Sequence, residues 1–416
     1  MQNKAIKNLF NMKKYVRILQ ERFREHDMEL NEIRKEHELI DLFCNLAEIP
    51  SPSLSEKKVA EYIKSVCDEN NIFCKFDDYG NVYINIPPTD TSKPSLLLSS
   101  HMDVIGDDSP VKTYVDEEGL IHAEGRTLGA DDKAGVANAL YFALYVAKSD
   151  IKHGGLELVF TRDEESGMSG IRHLDTTKLN AKYALVLDSD SLGQFMTSGA
   201  SYTLVKIDLK TFKGGHSGID IADPERENAA KLVADLVSVL PQGVFYSDEV
   251  DHHVVTSCNI GGILSGDIKV TNIINQNAKV SYSIRSSSRE KEEELKDLMR
   301  FHVNDFNNEY NGIAHAELVF EEHLPPFEKG EDNVVPQMFE KAAKACGIEP
   351  EIGSFHAGAE THIYANSFNS KGEKMLPFLV GLADVHNMHC KEENVCYKSM
   401  LKGQEILRKF FEEFNG

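Results

Sequence analysis

The sequence predicts an α/β protein: a mostly parallel central sheet flanked by helices, with a smaller α+β unit inserted into it. Three observations carry this. Short apolar runs at 95–100, 156–160 and 183–187 read as buried strands. Helical stretches separate or follow them, notably 133–147 and one around 397–414. Between 201 and 321 the order changes to strand, helix, strand, strand, helix, strand, the split βαβ pattern of a compact inserted domain. The α/β character returns after Leu324-Pro325-Pro326, so the first domain is discontinuous, 37–199 plus 323–416 around an insertion at 200–322.

An extension, 1–36, precedes it. Leu9, Met12, Val16, Leu19 and Phe23, then His26, Leu30 and Ile33, recur at three- and four-residue steps, a heptad seam interrupted at His26. Such a helix packs on its own domain or pairs with a second subunit. From Glu38 a second helix leads to Ile49-Pro50-Ser51-Pro52-Ser53, a turn that Pro52 enforces. A helix over 56–67 and alternating strands at 73–76 and 82–86 come before the run 95–100. The inserted unit places strands at 202–211, 254–260, 268–285 (broken near Asn272) and 314–320, with helices at 224–240 and 289–310. A helix at 334–346 and a strand at 378–380 then rebuild the first domain.

Composition narrows the function. The 416 residues, 41% hydrophobic and 27% charged, suit a soluble globular chain with a sizeable core. No segment approaches the roughly eighteen apolar residues of a membrane span, and the start lacks a secretory pattern, so a cytoplasmic protein is expected. A net charge of −22 argues against nucleic acid and favours cations. The seven cysteines are scattered without C-x-x-C spacing, which fits reduced thiols better than disulfides or a thiolate metal site.

Chemistry-bearing residues gather where strands end. His101-Met102-Asp103 follows the run 95–100, and the carboxylate of a His-x-Asp can fix the imidazole tautomer that binds metal. Glu164 and Glu165 follow 156–160; adjacent side chains diverge, so one can hold a metal while the other takes a proton from water. Asp188 follows 183–187, and His386 and His389 follow 378–380. The turn Gly125–Gly135 opens a helix, but its two aspartates, Asp131 and Asp132, would repel a phosphate, and an aspartate there can serve instead as a metal bridge. In an open parallel sheet the carboxyl ends share one edge, where ligands bind. Two imidazoles and several carboxylates there suit zinc or a similar divalent ion, and two ions bridged by one carboxylate would polarise a carbonyl and supply hydroxide near neutral pH.

The set His101-Met102-Asp103, Gly129-Ala130-Asp131-Asp132-Lys133, Asp163-Glu164-Glu165-Ser166-Gly167, Asp188, Gly214-Gly215-His216-Ser217-Gly218 and His389 resembles the co-catalytic zinc peptidases that include peptidase T, aminoacylase and glutamate carboxypeptidase. The resemblance runs from about Glu38 to the end. It implies one ion held by His101, Asp131 and Asp188, and a second by Asp131, Glu165 and His389, with Asp131 bridging; zinc is expected, manganese and cobalt being alternatives. Asp103 would orient His101, and Glu164 would be the general base. His389 is preferred to His386 because Glu393 lies four residues after it, as in that family. The inserted unit would be a lid and dimerisation domain, His216 an oxyanion donor, and Arg285, with Asn272 nearby, the group that takes a substrate carboxylate. The segment His356-Ala357-Gly358-Ala359-Glu360 looks more like that of the aminoacyl-histidine dipeptidases, which makes Glu360 a candidate for a substrate's free ammonium group and His356 its neighbour.

The resemblance therefore implies an exopeptidase acting on di- or tripeptides from a free N-terminus, working as a homodimer without nucleic acid or membrane. An N-acyl-amino-acid amidohydrolase or carboxypeptidase anchored by Arg285 is the alternative within this chemistry, and a catalytically silent binding protein the alternative outside it.

Overall fold

In the computed structural model, which describes residues 29–248 and 254–416, the apolar runs form neighbouring strands of one sheet. Leu156–Thr161, Leu96–His101, Tyr183–Val186 and Leu376–Val380 lie side by side, all parallel. The first two are buried throughout, as expected of a parallel sheet covered on both faces. Register fixes the rest. Leu96 pairs with both Leu156 and Tyr183, so these strands start level; His101 pairs with Thr161 and Ser99 with Val186, which puts Asp188, two residues past Val186, at the same height as His101. Val82–Ile86 and Phe73–Phe76 extend the sheet antiparallel beyond Leu156–Thr161.

Two units emerge, each with its own core. Of the described residues, the first holds 29–195, 332–352 and 367–416; the second holds 196–248, 254–331 and 353–366. The chain passes between them within the strands Gln194–Gly199 and Glu351–Phe355, neither of which stands out as a strand in the sequence. As a result 323–331 and 353–366, read from sequence as part of the first domain, group with the second unit.

In the first unit the helix Ala130–Lys148 is buried on nearly every side, packed on Leu96–His101, Glu38–Ala47 and Tyr397–Phe414. Small residues permit this. A Cβ on Gly135 would lie 2.2 Å from Asp132 Oδ1 and 2.7 Å from Ser100 Oγ. A four-stranded antiparallel sheet, Val385–His386, Asn394–Cys396, Leu120–Ala123 and Thr113–Val115, was not legible in the sequence because its strands are only two to four residues long. It holds both ends of the loop that carries His389. Of the N-terminal seam, Leu9 to His26 lie outside the described residues. Residues 29–36 are helical, and Leu30 and Ile33 pack on the core of their own unit.

The second unit is a five-stranded antiparallel sheet in the order Gly243–Ser247, Val255–Ser265, Asn277–Ser286, Tyr202–Thr211, Ala314–Leu324. The helices Ala229–Val239 and Arg289–Glu309 pack on it, and alternate residues of Tyr202–Thr211 enter the core between them. Three details differ from the sequence reading. Gly243–Ser247 is an additional strand. The strand expected at 254–260 runs on to Ser265, because a bulge between Ile260 and Gly262 lets it keep pairing past Gly261 and Gly262. The strand expected at 268–285 is instead Ile273–Ile274, paired with Gly215–His216, and Asn277–Ser286. All seven cysteines are free thiols. Among the described residues no helix is long and apolar enough to cross a membrane.

Candidate metal centre

The carboxyl ends of the parallel strands bring His101, Glu164, Glu165 and Asp188 to one edge. Asp131 joins them from the start of the helix Ala130–Lys148, where Asp131 and Asp132 have non-helical backbone and share a cis peptide bond. His389 arrives on the 387–393 loop with φ of 63°. Asp131 is the hub. Its Oδ1 lies 3.2 Å from His101 Nε2, and its Oδ2 lies 3.0 Å from His389 Nε2. His389 Nε2 is also 3.1 Å from Glu165 Oε1, and His101 Nε2 is 3.7 Å from Asp188 Oδ1. Ligand atoms of His101, Asp131 and Glu165 all fall within 4.8 Å of one another, as do those of His101, Asp132 and Asp188. His386 sits instead in a strand ladder opposite Asn394, with an exposed side chain.

Buried carboxylates hold the backbone that carries these ligands. Glu393, 1% exposed, accepts the N–H of Gly129 at 2.8 Å and of Asp131 at 3.1 Å. Gly129 is in the left-handed region, φ 76°, and a Cβ there would meet Val104 at 2.7 Å. Asp103, fully buried, accepts the N–H of Glu164 at 2.9 Å on Oδ1 and of Glu165 at 3.1 Å on Oδ2, where Ser53 also donates at 2.7 Å. His101 Nδ1 lies 2.9 Å from the backbone carbonyl of Asp103 and 3.4 Å from its carboxylate. The carbonyl thus fixes the tautomer that leaves Nε2 with its lone pair open toward Asp131 and Asp188, while the carboxylate chiefly caps the turn of Glu164 and Glu165.

The electrostatics are those of a cation site. Burial pushes Glu165 up to about 7, helped by the charge of Asp131, and burial pushes Asp188 up to about 6. Hydrogen bonding to Asp131 lifts His389 to about 9. Burial opposes a proton on His101, yet Asp103, Asp131 and Asp188 together hold the imidazole well above its ordinary value. Glu165 Oε1 is buried and, although His389 Nε2 stands 3.1 Å away, accepts no well-formed hydrogen bond, which leaves its lone pairs open to a metal. Three carboxylates and two imidazoles, with no thiolate, fit divalent ions of borderline hardness. Asp132 fits less well as a ligand, because its oxygens already accept the N–H groups of Gly135 at 3.0 Å and His101 at 3.3 Å.

Residues 97–413 match the family described as Peptidase family M20/M25/M40. The chain belongs to this family. It is 28% identical over 391 residues to the uncharacterised protein YqjE of Bacillus subtilis, covering 91% of this chain and 98% of that one. Peptidase T of Bacillus subtilis is 28% identical over 300 residues, 71% of this chain and 68% of that one. Aminopeptidase PepT from Bacillus cereus has the same fold, with a TM-score of 0.79 at 24% identity over 91% of this chain and 98% of that chain.

The remaining sequence candidates lie in the second unit. His216 Nδ1 accepts the backbone N–H groups of Gly218 at 3.1 Å and Ile219 at 3.3 Å, and the His216 backbone N–H donates to Asp220 Oδ2 at 2.8 Å. With Nδ1 an acceptor, Nε2 carries the proton and is a donor. Asn272 braces the same turn, its carbonyl accepting the Ser217 N–H at 3.0 Å. Arg285 lies over the Tyr202 ring, 4.9 Å from its centroid, and pairs across the strands with Ser257. Ser257 Oγ is 2.7 Å from His356 Nε2, and burial together with Arg285 holds His356 below its ordinary pKa. Glu360 is 1% exposed, not the exposed loop carboxylate that sequence alone would allow. Sequence reading passed over Ser53 as a site residue, gave Asp132 no role of its own beside Asp131, and used Glu393 only as a spacing marker. A buried carboxylate that holds a distant backbone N–H leaves no local pattern in the chain.

Proposed function

We propose that this chain is a metal-dependent exopeptidase of short peptides, di- or tripeptides taken from a free amino terminus. The observation that carries the reading is Asp131, whose two oxygens face two different imidazoles beside a buried Glu165 oxygen that accepts no well-formed hydrogen bond. In this reading His101, Asp131 and Asp188 hold one ion and Asp131, Glu165 and His389 hold a second, zinc suiting the donors, with manganese or cobalt as alternatives. Ions bound there would polarise a peptide carbonyl and make water acidic enough to attack near neutral pH.

The chain's own residues do the rest. Glu164, its backbone fixed by Asp103, takes the proton of the attacking water and returns it to the leaving amine nitrogen. His216, with its proton on Nε2, donates to the oxyanion as the carbonyl becomes tetrahedral. Arg285 takes the substrate carboxylate bidentately, with His356 beside the same subsite, while Asn272 braces the turn that carries His216. Glu360 takes the free ammonium group; the names of the relative peptidase T and the structural neighbour aminopeptidase PepT support attack from a free amino terminus. The second unit acts as a lid and as the contact of a homodimer, in the cytoplasm.

The test is hydrolysis of a short peptide series with free and acetylated N-termini, with zinc or manganese and a chelator control. Cleavage of the free-amine set alone, lost with chelator, is expected. Cleavage of the acetylated set would move the activity to an amidohydrolase or carboxypeptidase.

A further inference from the structure

The turn that carries Glu164 and Glu165 is held in an unusual way. Four successive backbone N–H groups are each donated to a side chain: Arg162 to Asn81 Oδ1 at 3.1 Å, Asp163 to Glu56 Oε1 at 3.0 Å, and Glu164 and Glu165 to the two oxygens of Asp103. Asp163 has φ of 54°, a backbone conformation an L residue seldom adopts unaided. Its carboxylate in turn accepts the hydroxyls of Ser166 and Ser169.

Glu56 is fully buried and grips this turn twice. Oε1 takes the Asp163 N–H, together with the Leu54 N–H at 2.7 Å, and Oε2 takes Arg162 Nε at 2.7 Å. The Arg162 fork then reaches the Tyr79 carbonyl at 2.8 Å and the Leu54 carbonyl at 2.9 Å. The segment that presents Glu56 also touches the other two ligand-bearing loops. Ile49 O accepts Lys133 Nζ at 2.6 Å, Ser51 Oγ donates to the Met102 carbonyl at 2.8 Å, and Ser53 holds Asp103.

We infer that Glu56, acting through Arg162 and the Asp163 N–H, is a positioning residue that sets where the Glu164 and Glu165 carboxylates stand. Both ends of the Glu56–Arg162 pair attach to the one turn, so loosening it displaces the carboxylates and leaves the sheet beneath in place. A misplacement of about 1 Å is enough to cost a catalytic group most of its effect. The inference rests on the proposed roles of these two glutamates, so its test includes a readout that needs no substrate.

The experiment compares Glu56→Gln with Glu157→Gln in the full-length chain. Glu157 is a matched control: buried, accepting the N–H groups of Asn180 at 2.9 Å and Ala181 at 2.8 Å and the Tyr83 hydroxyl at 2.8 Å, at the opposite end of the same strand. Thermal midpoint, kcat and KM on a tripeptide, and zinc affinity by competition with a chromophoric chelator are measured for each. Glu56→Gln is expected to lose about 10–100-fold in kcat with KM nearly unchanged, and roughly tenfold in zinc affinity. Glu157→Gln is expected to lower the midpoint comparably while kcat and zinc affinity stay within about twofold of wild type. If Glu56→Gln matches Glu157→Gln in kcat and zinc affinity, Glu56 is structural only and the inference is overturned. Should Glu56→Gln fail to fold, Arg162→Lys replaces it, since lysine keeps the charge but lacks the fork that reaches Tyr79 and Leu54. A folded Arg162→Lys with wild-type kcat and zinc affinity overturns the inference equally. If the wild type cleaves no peptide the proposed function fails, while the zinc titration still decides the place of Glu56.

Discussion

Asp103→Asn separates two roles that one residue performs. The side chain is fully buried and its oxygens accept from Glu164 N–H, Glu165 N–H and Ser53 Oγ. Asparagine keeps the shape but has one acceptor oxygen, so whichever way the amide turns, its NH2 faces a backbone N–H. One hydrogen bond to a charged acceptor is lost and one buried donor is stranded, about 2–4 kcal/mol together. A chain of this kind carries roughly 5–15 kcal/mol, so the variant folds, with its midpoint lowered by about 5–15 °C. The imidazole fares differently. His101 Nδ1 still has the Asp103 carbonyl at 2.9 Å, so the tautomer survives and His101 remains a competent ligand. Calorimetry, zinc content and kcat/KM on a tripeptide check this together. The expected result is a lower midpoint, about 10–100-fold loss in kcat/KM and zinc retained on the His101 side. An unchanged midpoint with unchanged kcat/KM would refute the capping argument, and loss of all zinc would refute the claim that the carbonyl alone fixes the tautomer.

Three further outcomes follow from the same geometry. Glu164→Gln should lower kcat by about 10²–10⁴-fold, the range of a general base, and leave metal content near normal; elemental analysis beside steady-state kinetics checks it. His216→Ala should lower kcat by roughly 10²–10³-fold with little change in KM, as for a lost oxyanion donor, and wild-type kcat would remove it from that role. In the metal-free chain His389, Glu165 and Asp188 all have folded pKa values raised above their ordinary ones, to about 9, 7 and 6. These three groups then bind more protons in the folded state than in the unfolded state, so their share of the stability falls as pH rises, through the carboxylates between about 4 and 7 and through His389 between about 6.5 and 9. Because ions displace those protons, the rise in midpoint on adding zinc should grow from pH 6 to pH 9. Scanning calorimetry at fixed free zinc measures it, and a rise independent of pH would contradict the clustered-ligand picture.

The sequence alone determined the parallel sheet and the kind of chemistry at its edge. Buried strands such as Leu96–His101 and Leu156–Thr161 are written as continuous apolar runs, and a chemistry-bearing residue just past such a run can only emerge at a strand end. His101, Glu164, Glu165 and Asp188 were legible for that reason, and Asp131 and His389 through the motifs around them. The tertiary structure decided what has no local signature. The short strands that hold the His389 loop, and the continuation of Val255–Ser265 through Gly261-Gly262, depend on neighbours far away in the chain. Asp103 as a cap on the Glu164-Glu165 turn, Glu393 beneath Asp131, and Glu56 with Arg162 are contacts across 61, 262 and 106 residues. A backbone N–H that finds its acceptor at such a distance depends on the fold, because only the packed chain determines which buried carboxylate lies beside it.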